Sequence, residues 1–267
     1  MKIAVCLKQI LDPEISPRDF QVDPEKRTAV VGSANFVTNI FCENALETAL
    51  QLQEKSGGEI TAIAFGPESA EDSLRKALAV KADHAYRIDN PGIEHTGSAG
   101  AAKVLAAAIE KLGGFDLILV GREAGDWGEG RTGPLLAEHL TKPFVSFVDE
   151  IEQDGQVLKL GRQTDVGREE LSASMPIVLS VTNNDANVPR IPKTRDIMKA
   201  HRKELTTWTL NDVGVDEADL QSTAGQTQVV DLALPEKTSE CEFAAGDSTA
   251  DKVADFAQKL SRILSNV

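Results

Sequence analysis

The chain has 267 residues, 42 of them acidic and 28 basic, for a formal net charge of −14. This length can bury one large domain, or one domain plus an appendage, and the charge disfavours a nucleic-acid partner because phosphates would be repelled. No apolar run reaches the roughly 20 residues of a membrane span, the start (Met1–Lys8) is too short and interrupted for a signal peptide, and Cys6, Cys42 and Cys241 show neither metal-ligand nor disulfide-framework spacing; no membrane insertion and a reducing, cytoplasmic setting are expected.

Short apolar strands are predicted at Lys2–Leu7, Ile60–Phe65, Ala85–Ile88 and Leu117–Val120. Between them lie helical patterns: Asn44–Glu54, Ser69–Val80 with Ser69 as its cap, and the alanine-rich His95–Leu112. Strand alternating with helix implies βαβ units, hence an α/β, Rossmann-like fold with a mostly parallel twisted sheet and flanking helices. Ligands in such sheets bind beyond the carboxyl ends of the strands. The turns after the first, second and fourth strands should therefore meet at one crevice.

The style then changes. Phe144–Gln153 and Gln156–Leu160 flank an Asp154-Gly155 turn and predict a β-hairpin. Pro176–Val181 reads as a buried strand. Residues 189–203 carry six Lys or Arg against one Asp, in an otherwise acidic protein. Residues 206–246 show no sustained period, which points to an extended arm needing another surface. Asp251–Leu264 places Val253, Phe256, Leu260 and Ile263 on one helical face. The expected organisation is a nucleotide-binding domain over 1–205, including an exposed basic loop at about 185–203, followed by an arm and terminal helix over 206–267.

Residues 121–134 hold five glycines in fourteen positions, between a predicted strand and the predicted helix Leu135–Leu140. Glycine tolerates positive φ and lets backbone approach a ligand closely. The start of the next helix offers unpaired N–H groups and the positive end of a dipole, which suits a phosphate. Thr132 is expected to cap that helix and Pro134 to sit in its first turn. The loop matches neither a Walker A motif nor the dinucleotide GxGxxG fingerprint.

Candidate catalysts are scarce. His84, His95, His139 and His201 are scattered, no GxSxG elbow is present, and Asp165, Glu169 and Glu170 read as a solvated cluster. Cys6 and Cys42 are placed either to line a crevice or simply to pack. A ligand loop without a catalytic constellation favours a carrier or binding protein over a stand-alone enzyme.

Taken in order, these pieces resemble the β subunit of electron transfer flavoproteins. The resemblance rests on Ala4–Gln9, on Asn39-Ile40-Phe41-Cys42-Glu43 through Glu47, on Ser73–Ala79, on Val120–Ala124 with Thr132-Gly133, on Arg162–Ser180, and on Pro189-Arg190 with Asp196–Ala200. It runs from the first residue to about Val215 and resumes weakly in the terminal helix. It implies an αβ heterodimer with one redox FAD held mainly by the α subunit, a structural AMP in this chain, and an arm that reaches onto α. Electrons would pass from a flavoprotein dehydrogenase to a quinone-linked oxidoreductase. Carried over by position, the nucleotide site comprises Cys6, Asn39, Ile40, Phe41, Cys42, Phe65, Gly121, Arg122, Glu123, Asp126, Trp127, Gly128, Glu129, Gly130, Arg131 and Thr132. Arg190, Ile191, Lys193, Thr194 and Arg195 would dock the dehydrogenase.

The chain departs from the family pattern at three places. Where many members have Asn-Gln-Thr-Gly, this loop reads Gly130-Arg131-Thr132-Gly133, with Trp127 before it. Thr194 stands where an apolar docking anchor is usual, flanked by Lys193 and Arg195, so charge would steer the partner. Pro13 stands near where some relatives place an aromatic residue beside the flavin. Gly133-Pro134 is similar to bifurcating members, which carry FAD in place of AMP and take electrons from NADH; that is the alternative. A free-standing nucleotide-binding protein of the universal-stress type shares the layout but not the arm.

Overall fold

The computed structural model describes residues 1–16, 19–30, 35–90, 92, 96–224, 229–234 and 241–265. Its strands are β1 (Lys2–Leu7), β2 (Gln9–Leu11), β3 (Gln21–Asp23), β4 (Thr28–Val30), β5 (Phe36–Thr38), β6 (Glu59–Gly66), β7 (His84–Asp89), β8 (Leu117–Gly121), β9 (Phe144–Asp154), β10 (Val157–Thr164), β11 (Gly167–Ser174), β12 (Ile177–Val181) and β13 (Thr206–Trp208). Its helices are α1 (Ile40–Ser56), α2 (Glu71–Ala79), α3 (Gly97–Leu112), α4 (Thr132–His139), α5 (Thr194–Ala200), α6 (Glu217–Ala224) and α7 (Thr249–Leu264).

Among the described residues the main sheet has nine strands, in the order β11-β10-β9-β12-β8-β1-β6-β7-β13. It is parallel from β9 to β13, and only the hairpin pairs β9–β10 and β10–β11 are antiparallel. This is the α/β, mostly parallel architecture that the alternating periods predict. Within β1, alternate residues enter opposite layers. Ile3, Val5 and Leu7 pack with α1 and α2, whereas Ala4 and Cys6 pack with α3, α4 and Leu220 of α6.

β1 lies between β6 and β8, with Val5 opposite both Ala62 and Leu119. From β1 the chain builds outward to β6 and β7, then crosses back through α3 to lay β8 on the other side. The strand order therefore reverses between β1 and β8, and a crevice opens there because successive crossovers cover opposite faces.

Local corrections accompany this agreement. Thr132 does not cap α4: it is the first helical residue, Arg131 occupies the cap position, and no side-chain cap bond forms. Ser69 does not cap α2; its hydroxyl donates to Gln9 Oε1 at 2.7 Å instead. Residues 206–224, which carry no sustained period, contain β13, paired with β7, and α6, packed against α3. Short elements at a sheet edge draw their stability from the partner strand, so periodicity is a weak guide to them. The predicted start of α3 at His95 lies outside the described residues. No helix among the described residues is long and apolar enough to cross a membrane.

The chain divides into two compact units, Met1–Asp231 and Leu232–Val267. In the second, Ser248 and Asp251 form a reciprocal capping box at the start of α7. Lys259 pairs there with Glu242 (2.6 Å) and Asp255 (3.0 Å).

Candidate functional site: a cleft at the strand-order reversal

The carboxyl ends of β1, β6, β7 and β8 open into one cleft of about 820 Å³. Its floor includes Cys6 and Leu7 from β1, Phe65 and Gly66 from β6, and Val120 and Gly121 from β8. The turns after the first, second and fourth predicted strands do converge. The turn after β7 joins them through Asn90 and Thr96–Ser98, as does the segment Val229–Asp231. Neither contributor carries a motif; the sheet order brings in the turn after β7.

Of the residues expected at the site, Cys6, Asn39, Cys42, Phe65, Gly121, Arg122, Glu123, Asp126, Trp127, Glu129, Gly130, Arg131 and Thr132 line the cleft. Ile40, Phe41 and Gly128 do not. Ile40 is exposed, and the Phe41 ring lies under the Arg122 guanidinium, 4.3 Å from ring centre to charge. Gly128 stands in the loop at φ +62°, a left-handed conformation that favours glycine.

Gly121 explains how the walls approach. A Cβ there would lie 2.9 Å from Cys42 N and 2.9 Å from Phe41 C, so the first turn of α1 rests directly on the end of β8. The loop that follows is tied down by charge. Lys8 Nζ, just after β1, donates to both Asp126 oxygens at 2.7 and 2.8 Å. Ser98 Oγ, in the first turn of α3, donates to Glu129 Oε2 at 2.5 Å, and Arg131 Nη2 reaches Glu129 Oε1 at 3.0 Å. The Ser98 bond holds the Glu129 carboxyl below the usual range; partial burial opposes it and Arg131 adds to it.

Two helix starts, Gly97–Ser98 of α3 and Thr132 of α4, face the same cleft. Their leading N–H groups lack intrahelical partners, and their dipoles place partial positive charge there. Lys8 and Arg131 add cationic groups, each already shared with a carboxylate of the same wall, Asp126 and Glu129, and Phe65, Leu105 and Leu135 supply apolar wall. The combination suits a ligand with one anionic end and one flat apolar end.

Cys6 and Cys42 sit at the bottom, both buried. Burial pushes the Cys6 thiol up, with Cys42 adding to the effect. Burial also raises Cys42, against hydrogen bonds from Asn39 and from the backbone N–H groups of Lys8 and Gly121. Both remain protonated at neutral pH and pack rather than react. Among the described residues no group of His, Cys, Asp or Glu is arranged to hold a metal ion. His84, unpaired as far as spacing tells, meets Glu59 at 2.5 Å because β6 and β7 start side by side.

A family model for the electron transfer flavoprotein domain matches residues 28–213. The chain belongs to the electron transfer flavoprotein family. It is 34% identical over 229 residues to the electron transfer flavoprotein subunit beta of Clostridium acetobutylicum, covering 86% of each chain. Identity is 33% over 262 residues to the same subunit of Thermoanaerobacterium thermosaccharolyticum, covering 98% of each. A third relative, at 28% over 261 residues, is the caffeyl-CoA reductase-Etf complex subunit CarD of Acetobacterium woodii, with 97% of this chain and 98% of the relative covered.

The basic segment of this family member divides into a pinned end and a presented end. Arg190 clasps Glu47 of α1 through Nε (2.7 Å) and Nη2 (2.8 Å), and Glu54 through Nη1 (2.6 Å). Burial alone would raise the Glu47 carboxyl; the bonds from Arg190 and Gln51 outweigh it and hold the group low. Next to that anchor Ile191 is 91% exposed and Met198 60%. Lys193, Thr194 and Arg195 are also exposed, with Thr194 opening α5.

Proposed function

We propose that this chain is the β subunit of a heterodimeric electron transfer flavoprotein that moves electrons from a flavoprotein dehydrogenase to a quinone-linked acceptor. It binds AMP in the cleft between β1 and β8, while the redox FAD sits mainly on the α subunit. The cleft carries the reading: it offers an anion site and an apolar wall, and its two thiols are buried and protonated. The residues fit a nucleoside monophosphate. The starts of α3 and α4 with Lys8 and Arg131 would meet phosphate, and Phe65 with its apolar neighbours would hold the base. FAD, when bound by the complex, supplies the one- and two-electron chemistry. This chain orders the cleft and presents residues 190–198 to the donor.

One observation favours a second reading, in which FAD replaces AMP and NADH is the donor. At about 820 Å³ the cleft lies toward the upper end of the roughly 300–1,000 Å³ of ordinary ligand sites, more than a mononucleotide fills. The deciding experiment is to co-produce the chain with its α subunit, release bound nucleotides by heat and quantify them by chromatography with mass detection. Equal AMP and FAD support the first reading. Two FAD per heterodimer and no AMP replace it with the second.

A further inference from the structure

Asn39 holds the cap position of α1, where an asparagine side chain ordinarily accepts a hydrogen bond from its own helix's first turn. Here it makes no such bond. Its main-chain carbonyl serves the helix instead, accepting from Cys42 N (2.9 Å) and Glu43 N (3.1 Å). The carboxamide turns to a segment 86 residues away: Oδ1 accepts from Gly125 N at 3.0 Å, and Nδ2 donates to Glu123 O at 2.8 Å. Nδ2 also reaches Cys42 Sγ at 3.4 Å, and the Asn39 N–H donates to Lys8 O at 2.9 Å. The residue is 1% exposed. It thus joins the end of β1, the start of α1 and the glycine loop, each of which lines the cleft.

The loop needs such an anchor. Gly128 and Gly130 both adopt positive φ, and glycine backbone has the most freedom to lose on being ordered. We propose that Asn39 is a positioning residue: its carboxamide clasps Glu123 and Gly125 and so sets the 123–131 loop where a nucleotide is bound, its own oxygen and nitrogen being committed to protein. The inference rests on the nucleotide reading of the cleft. It also makes the orientation of the amide essential, since Gly125 presents a donor and Glu123 an acceptor. Aspartate keeps the shape and the acceptor but loses the donor.

The test is calorimetric titration of the full-length chain, stripped of nucleotide, with AMP and with FAD between pH 5 and 8. Folding of each variant is checked by circular dichroism. Asn39→Ala should weaken binding about tenfold or more. Asn39→Asp should be comparably weak at pH 8 and approach wild type as the pH falls. Burial raises a carboxyl's pKa above its usual value of about 3.9, and the protonated acid regains an O–H donor for Glu123. Hydrogen exchange should be faster at residues 123–131 in Asn39→Ala and unchanged in β1, β6 and β8. Wild-type binding together with unaltered affinity in both variants overturns this inference alone. No binding of either nucleotide by the wild type overturns the nucleotide reading and this inference with it.

Discussion

The cleft loop at 121–132 and the basic segment at 189–200 use the same ingredients, charged side chains near a helix start, to opposite ends. In the loop every charge has a partner: Asp126 is answered by Lys8 and Glu129 by Ser98 from other elements, while Arg122 pairs with Glu123 and Arg131 with Glu129 inside the loop. In the segment one residue, Arg190, is answered by Glu47 and Glu54, and the neighbours that follow face solvent. A concave site needs its groups fixed before a ligand arrives, because ordering them on binding costs affinity. A docking surface needs only a rigid root, with its apolar and charged tips left outward. In the docking role proposed for this segment, Arg190 is the root and Ile191 the tip.

The contrast can be broken first at the cleft. Gly121→Val sets side-chain atoms against the backbone of Phe41 and Cys42, which cannot swing away. A loss of about 3 kcal/mol or more is expected, at the upper end of overpacking costs, along with nucleotide binding. Denaturant unfolding of the purified chain measures it, and wild-type stability would show that α1 can retreat.

A smaller effect is expected at the root. Arg190→Ala leaves the Glu47 carboxylate buried without its partner, at a cost of about 1–3 kcal/mol, and frees the following residues. Because the Glu47 carboxyl is held low in the folded chain, its contribution is present above the unfolded glutamate value of about 4.3. That contribution is lost as the pH falls through the lower folded value. Stability of the variant should therefore fall less steeply than wild type below about pH 4.3; parallel acid-unfolding curves would remove Arg190 from this role.

The mildest change concerns the tip. Reversing Lys193 and Arg195 to Glu should slow reduction of the complex by its dehydrogenase several-fold at low salt, with the difference shrinking as salt is added. The flavin spectrum should stay the same. Stopped-flow rates equal to wild type at low ionic strength would exclude charge steering by this segment.

The tip of the basic segment, proposed to dock a partner, also marks where sequence reading stops. Thr194, expected where an apolar anchor is usual, opens α5, while Ile191, three residues earlier, is the most exposed of several large apolar side chains left outside there, with Val188, Ile197 and Met198. Nothing in the spacing distinguishes them, because exposure depends on where Arg190 is held, and Glu47 lies 143 positions away. Asn39 is a similar case. The helix predicted from Asn44 starts at Ile40 instead, which puts Asn39 at its cap position, with its side chain committed to Gly125 and Glu123.

The sequence by itself determined the α/β layers, the alternation of strand and helix, the Asp154-Gly155 hairpin and the glycine loop as a turn at the crevice. Those features follow from periodicity and backbone freedom, both local properties of a few successive residues. Only the tertiary structure decided that Lys8, Ser98 and Val229–Asp231 share the cleft with that loop, that Asn39 clasps instead of capping, and that residues 206–224 join the first unit. Each depends on which strand ends lie side by side, and sheet order is set by long-range packing of whole elements that no short stretch of residues encodes.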